Sequence, residues 1–271
     1  VTDIKLPLGR ETPYPNRYDP AVLFPIARLD SRAAFVGGAL PFTGFDIWNA
    51  WELTWLGAGN LPAVATAEIR IPASSPNLIE SKSLKLYLNS FAMSHFDGAT
   101  TVTDTIVGDL SDCAGETVQV RIDTMSSSQR NAIACLPGQC LDALAVSCEQ
   151  WDVDAGLLRA DSEDIVQEAL HSHLLRSLCP VTSQPDIGSL AVHYHGPRID
   201  PQSLLQYLVS FRQHNDFHEA CIERMFVDIL QRCRPEKLSV YARYQRRGGI
   251  DINPFRSNFE NRPENLRIWR Q

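Results

Sequence analysis

The sequence contains no run of about eighteen apolar residues, which excludes a membrane-crossing helix. Its opening, Val1-Thr-Asp-Ile-Lys-Leu-Pro-Leu-Gly-Arg, lacks the unbroken apolar stretch of a signal peptide and has no initiator Met, so further residues are expected before Val1. There is no dense cysteine framework. Seven cysteines, an odd number, are scattered over 271 residues, the pattern of free thiols in a reducing, cytoplasmic setting. There is no excess of positive charge either: 25 Lys plus Arg against 32 Asp plus Glu leave a net charge of -7, which argues against general nucleic-acid binding. The basic residues collect at the end, where Arg224 to Gln271 holds eleven Lys plus Arg against five Asp plus Glu. Arg243, Arg246 and Arg247 around Gly248-Gly249 suit phosphate groups, and a solvated basic face is the competing reading.

Complete cofactor and metal motifs are missing too. Gly57-Ala-Gly-Asn-Leu-Pro is superficially like a dinucleotide-binding glycine loop, but Pro62 stands at the third glycine and no helix follows. Cys135 and Cys140 bracket Pro137-Gly138 like half of a zinc site, with no second pair or neighbouring His to complete it.

The length allows one large domain or two of ordinary size, and 44% hydrophobic residues suffice for a sizeable core. Residues 1–40, rich in Pro and Arg, read as an irregular arm. Strands are expected over Phe42–Leu56, Ala63–Ile71 and Thr117–Asp123, the last two from alternation. Helices are expected from Asn77 to Phe91, with Leu84, Leu88 and Phe91 at helical spacing, and around Thr101–Leu110. After a Ser-, Cys- and Gly-rich stretch (124–140), Leu141–Cys148 reads as extended, and Ile165–Leu178 as strand or helix. Gly188–His195 reads as a strand ended by Gly196-Pro197, followed by helices Asp200–Phe211 and Phe217–Cys233 and a strand Lys237–Tyr244. In the last helix, Cys221, Met225, Ile229 and Leu230 are expected to face inward. The order strand, strand, helix, helix, strand, strand thus occurs twice, which favours antiparallel sheets with helices on one face, an α+β architecture. The expected division is an arm (1–40), a first domain (41–140) and a second (141–271).

Cys179-Pro-Val-Thr-Ser-Gln-Pro-Asp186 places a thiol and a carboxyl group around turn formers, and Phe217-His218-Glu219 sets an aromatic, an imidazole and a carboxylate side by side. Such groups support nucleophilic and proton-transfer chemistry on a flat polar heterocycle. Plainer readings stand beside this one: Cys179 as a small buried apolar residue, Asp186 as a turn former after Pro185, and Phe217 as a core aromatic at a helix start.

Together with Glu80-Ser-Lys-Ser-Leu-Lys-Leu-Tyr and Arg246-Arg247-Gly248-Gly249, these motifs resemble the NADPH-dependent 7-cyano-7-deazaguanine reductases, the nitrile reductases of queuosine biosynthesis, in their long two-domain branch. The resemblance runs from about Phe42 to Arg256. It implies tandem tunnelling-fold domains, a homodimer, no direct nucleic-acid contact, and reduction of the nitrile of 7-cyano-7-deazaguanine to the aminomethyl compound with NADPH. Cys179 would add to the nitrile carbon, giving a thioimidate. A free thiol has a pKa near about 8.5, so it needs help from neighbours. Asp186 would exchange the proton with sulfur and nitrogen, which asks for a desolvated carboxyl able to be neutral, and His218 would assist later transfers. Ile79, Glu80, Ser81, Phe217, His218 and Glu219 would hold the substrate, the two carboxylates pairing with a guanine-like edge and Phe217 stacking on the base. Ser81, Lys82, Arg247 and Gly248 would receive NADPH. The first half has no thiol between Leu61 and Pro76 and no Phe-His-Glu, and Ile199-Asp-Pro-Gln-Ser-Leu-Leu-Gln-Tyr-Leu stands in the second half where Glu-Ser-Lys would recur, so one site per chain, completed by both halves, is expected. His171-Ser-His173 and His193-Tyr-His195 present paired imidazoles, but the family needs no metal and none is expected. Two alternatives remain: a thiol-dependent hydrolase of a purine- or pterin-like substrate using Cys179 and His218, and a purine- or pterin-binding scaffold without turnover.

Overall fold

The computed structural model describes residues 14–124 and 132–271. Part of the expected arm (1–13) and part of the Ser-rich linker (125–131) lie outside them. The chain forms two compact units, each assembled from separate stretches. The first combines residues up to Ser31 with Asp46–Ala132 and Arg246–Asp251; the second combines Arg32–Phe45, Ile133–Gln245 and Ile252–Gln271. Both contain strands and helices, so the protein is α+β.

The first unit holds β1 (Pro25–Ala27), most of α1 (Arg28–Arg32), most of β2 (Thr43–Leu56), β3 (Pro62–Pro72), β4 (Asn77–Ile79), α2 (Ser81–Ser90), α3 (Ala99–Ala114) and β5 (Gln119–Thr124). The strands stand in the order β5-β3-β2, with β5 antiparallel to β3. Val102, Ile106 and Leu110 recur every four residues on α3 and are fully buried, each contributing about 1.5–3 kcal/mol of apolar burial. The expected helix from Asn77 begins four residues late. Asn77–Ile79 is captured as a strand by Pro25–Ala27, and Glu80 then caps α2. The arm is therefore not wholly irregular. Its Arg28 is buried, with Nη2 2.5 Å from Asp46 Oδ2 and Nε donating to Ser75 Oγ.

The second unit contains β6 (Ile133–Ala134), β7 (Gln139–Cys140), β8 (Ala160–Leu178), β9 (Pro185–Ile199), α4 (Pro201–Ser210), α5 (His218–Cys233), β10 (Lys237–Tyr244), most of β11 (Ile250–Ser257) and β12 (Arg267–Ile268). The strand order is β11-β10-β9-β8-β7, antiparallel except for β7 on β8. A second parallel pair, β12 on β6, makes the pairing mixed rather than purely antiparallel. The segment left open between strand and helix is β8. Register shifts at Asp161/Ile165 and Ser172/Leu175 interrupt its alternation, so no single period describes it. Leu141–Cys148 is not a strand; Leu141 bonds back to His171 O and the chain turns. Nor do Gly196-Pro197 end β9, because Pro197 lies opposite Ile165, beside the first irregularity, where a missing donor is tolerated. Cys221, Met225 and Ile229 face inward on α5, but Leu230 is only half-buried.

The two units repeat each other in detail. Glu80 and Asp200 cap the N-termini of α2 and α4. Ser83 and Ser203 donate to the cap carbonyls, and Ser90 and Ser210 to Tyr87 and Tyr207. The Tyr87 hydroxyl donates to Asp109 on α3 at 2.5 Å, and that of Tyr207 to Asp228 on α5 at 2.7 Å. Phe91 and Phe211 pack edge-on against those tyrosines. The copies differ where chemistry is expected: Ser81 and Lys82 become Pro201 and Gln202.

Candidate active site

In the second unit, Cys179 follows the last residue of β8 and opens the hairpin loop to β9. Its N–H donates to Gln184 O at 2.9 Å and its carbonyl accepts from Ser183 N at 2.9 Å, so the turn closes on itself and holds the thiol at its mouth. Asp186, on β9, pairs with Ser177, two residues before Cys179. The hairpin thus places both groups at its end, and both are buried.

The segment before α5 is stitched to the same strand end. Leu178 N donates to His214 O at 2.8 Å, and Asp216 N to Leu178 O at 3.2 Å. This brings the first turn of α5 to Asp186, and Nε2 of His218 lies 3.2 Å from its Oδ2. His218 Nδ1 is buried without a hydrogen-bond partner among the described residues, a polar atom that a ligand or water would satisfy. The Tyr244 ring lies parallel to the imidazole, 3.8 Å between centroids and 6° between planes, and fixes its orientation. Phe217 takes the N-cap position, half-exposed and with no side-chain cap bond. Glu219 is buried in the first turn, where the positive end of the helix favours a carboxylate. Burial raises the pKa of the neighbouring Asp216, partly offset by the bond from Phe217 N and by Arg224.

Three other thiols, two buried and one half-buried, are held toward the neutral form. Burial, then the charge of Asp216, pushes Cys221 well above the ordinary thiol range, and burial raises Cys113 and Cys233 to about 11.

The first unit carries the remaining expected residues. Ile79 is buried on β4. Glu80 Oε1 accepts from Lys82 N at 2.8 Å and Oε2 from Ser83 N at 2.7 Å, so its carboxylate spans the start of α2 with a second lone pair left on each oxygen. Arg247 and Ile250 exchange backbone bonds of 2.8 and 3.2 Å around Gly248 and Gly249. Both glycines have positive φ (57° and 80°), as a two-residue hairpin of this hand requires. Trp51 N ties the hairpin to β2 through Gly249 O at 2.9 Å, and Arg246 lies over the Trp51 ring. Gly248 meets the side chain of Lys85, where an added Cβ would be 3.3 Å from its Cδ. Lys82 and Lys85, three apart, share a face of α2. The structure therefore gathers Ser81, Lys82, Arg247 and Gly248 around α2, and adds Lys85. These cations suit the phosphates of NADPH.

Sequence reasoning missed Lys85 and Tyr244. Lys85 was signalled by its i+3 spacing from Lys82; nothing local marks Tyr244, which reaches His218 through strand pairing.

Two family models match the chain: "Nitrile reductase, 7-cyano-7-deazaguanine-reductase N-term" over residues 14–122, and "QueF-like protein" over residues 185–263. A protein of Chromohalobacter salexigens named NADPH-dependent 7-cyano-7-deazaguanine reductase is 52% identical over 268 residues, covering 98% of this chain and 96% of the relative. One of the same name from Paraburkholderia phymatum is 47% identical over 274 residues, covering both chains completely. No helix among the described residues is long and apolar enough to cross a membrane. Motifs, repeated architecture and full-length similarity agree: the chain belongs to the family of NADPH-dependent 7-cyano-7-deazaguanine reductases.

Proposed function

We propose that this protein reduces the nitrile of 7-cyano-7-deazaguanine to 7-aminomethyl-7-deazaguanine, in the cytoplasm and as a homodimer, supplying a precursor for queuosine in tRNA. The observation that carries the reading is a buried thiol at a hairpin mouth whose partner strand holds Asp186 against His218.

Cys179 gives its proton to Asp186 and adds to the nitrile carbon, forming a thioimidate and splitting one difficult reduction into two easier stages. Asp186, desolvated and 3.2 Å from His218, returns that proton to the nitrile nitrogen. His218 supplies protons for the later steps, its plane held by Tyr244. NADPH, when bound, supplies the two hydrides that take the nitrile to the amine level. Cys179 leaves again as thiolate between them, and the protein must shield the imine from water. Glu80 and Glu219 accept N–H bonds from the base, with Ile79, Ser81 and Phe217 against it. Ser81, Lys82, Arg247 and Gly248 hold the cofactor.

The internal repeat supports tandem tunnelling-fold domains divided near residue 140. Pro201 and Gln202 in place of Ser81 and Lys82 favour one reductive site per chain. The test is NADPH absorbance in the presence of 7-cyano-7-deazaguanine. Oxidation of two NADPH per nitrile supports reduction, whereas product formed without NADPH would replace it with thiol-dependent hydrolysis.

A further inference from the structure

Cys140, His171 and His173 meet in a cluster that the reduction does not use. One donor atom from each lies within 4.8 Å of the others. β7 places Cys140 opposite His171 on β8. Gly138 permits this approach: its φ is +83°, and a Cβ there would lie 1.9 Å from the carbonyl oxygen of Ala169. His171 and His173, two apart on β8, stand edge-on with centroids 5.4 Å apart.

Each imidazole is already held by one nitrogen. His171 Nδ1 lies 3.0 Å from Pro137 O; a carbonyl only accepts, so Nδ1 carries the proton and Nε2 keeps its lone pair. His173 Nδ1 lies 2.7 Å from Ser189 Oγ, which also accepts from Arg270 Nη2 at 3.0 Å. With Nδ1–H donating to Ser189, Nε2 of His173 is a second ligand nitrogen. Anchoring one ring nitrogen in this way orients metal-binding histidines. Asp142 adds negative charge alongside, accepting from Ser172 Oγ at 2.6 Å and His173 N at 3.1 Å. Arg270, the opposing cation, is engaged by His173 O, Gly188 O and Ser189 Oγ.

We propose that Cys140, His171 and His173 form a site for zinc or a similar borderline divalent cation, pinning the segment around Pro137–Asp142 to β8. One thiolate and two neutral imidazoles are a zinc donor set with a fourth position for water. Tetrahedral zinc needs donor atoms roughly 3.5 Å apart, and the exposed Cys140 on a two-residue edge strand can close that gap. Binding releases the Cys140 proton to solvent.

The test uses chelator-treated full-length protein and cobalt(II) alone as the probe. One equivalent should give tetrahedral visible bands and a near-ultraviolet sulfur-to-cobalt band, both removed by zinc. Cys140→Ser should abolish the sulfur band, and His173→Asn, which removes a ligand nitrogen, should weaken binding by more than the roughly 10- to 100-fold that loss of a ligand's supporting partner costs. Cys179→Ala and His193→Asn should bind as wild type, and Cys140→Ser should still reduce the nitrile. No sulfur band in the wild-type protein, or an unchanged band in Cys140→Ser, would overturn the site.

Discussion

Replacing Glu80 by Ala removes the acceptor of two backbone N–H groups at the start of α2, from a side chain only 1% exposed. Loss of an N-cap side chain costs about 1 kcal/mol. Ser83 is fully buried, and an unsatisfied buried donor adds about 1–3 kcal/mol. The sum, about 2–4 kcal/mol, corresponds to roughly 4–7 °C in melting temperature for a chain of this size. Glu80→Gln keeps one carbonyl oxygen for the cap and should lose about half as much. Because Gln cannot accept a base N–H on its amide nitrogen, it should also raise KM for the nitrile more than it lowers the melting temperature would suggest. Calorimetry on the three proteins checks the first part. An unchanged melting temperature for Glu80→Ala would refute the assignment of this carboxylate as the cap of α2.

Glu223 lies between two buried guanidinium groups, accepting from Arg32 Nε and Nη2 at 2.7 Å each and from Arg256 Nη2 at 2.8 Å. Glu223→Ala leaves both charges buried and should cost about 3–5 kcal/mol in urea unfolding; a loss below about 1 kcal/mol, the scale of an exposed pair, would contradict this. Burial, then the Arg224 charge, lowers the pKa of His214, so its stabilising contribution is present above the unfolded value of about 6.5 and is lost as pH falls through the folded value. Asp216, raised by burial, acts oppositely: its contribution is present below about 3.9 and is lost as pH rises. His214→Asn should therefore lose less stability than wild type between about pH 7.5 and 5.5, and equal pH slopes would refute it. Lys85→Ala should raise KM for NADPH several-fold, as Lys82→Ala and Arg247→Ala should, with little change in KM for the nitrile; equal effects on both constants would sink the cofactor assignment.

The alternating stretches of β3 and β5 and the helical spacing of Leu84, Leu88 and Phe91 were legible because one face of each is more deeply covered than the other, and β10, buried on both faces, was legible from its alternating residue types. Two kinds of feature were not. β8 hides its period behind two register shifts, and Asn77–Ile79 is a strand only because residues far earlier in the chain pair with it. At the candidate site, Cys179, Asp186 and His218 lay in readable motifs, while Tyr244 and the imidazoles beside Cys140 are supplied by strands that no local pattern links to them. Of the pair Cys135 and Cys140, only Cys140 stands beside imidazoles, those of His171 and His173 on the neighbouring strand. Glu80 was legible only as a base-binding carboxylate, and the structure adds its role as the cap of α2.

Reduction through a thioimidate requires covalent attack by one sulfur on the nitrile carbon. Protein incubated with 7-cyano-7-deazaguanine without NADPH, followed by intact-mass measurement and peptide mapping, tests it most directly. A gain equal to the full mass of the substrate is expected, since addition expels nothing, located on Cys179 and absent from Cys179→Ala. No added mass, or a label on Cys221 or another thiol, would contradict it.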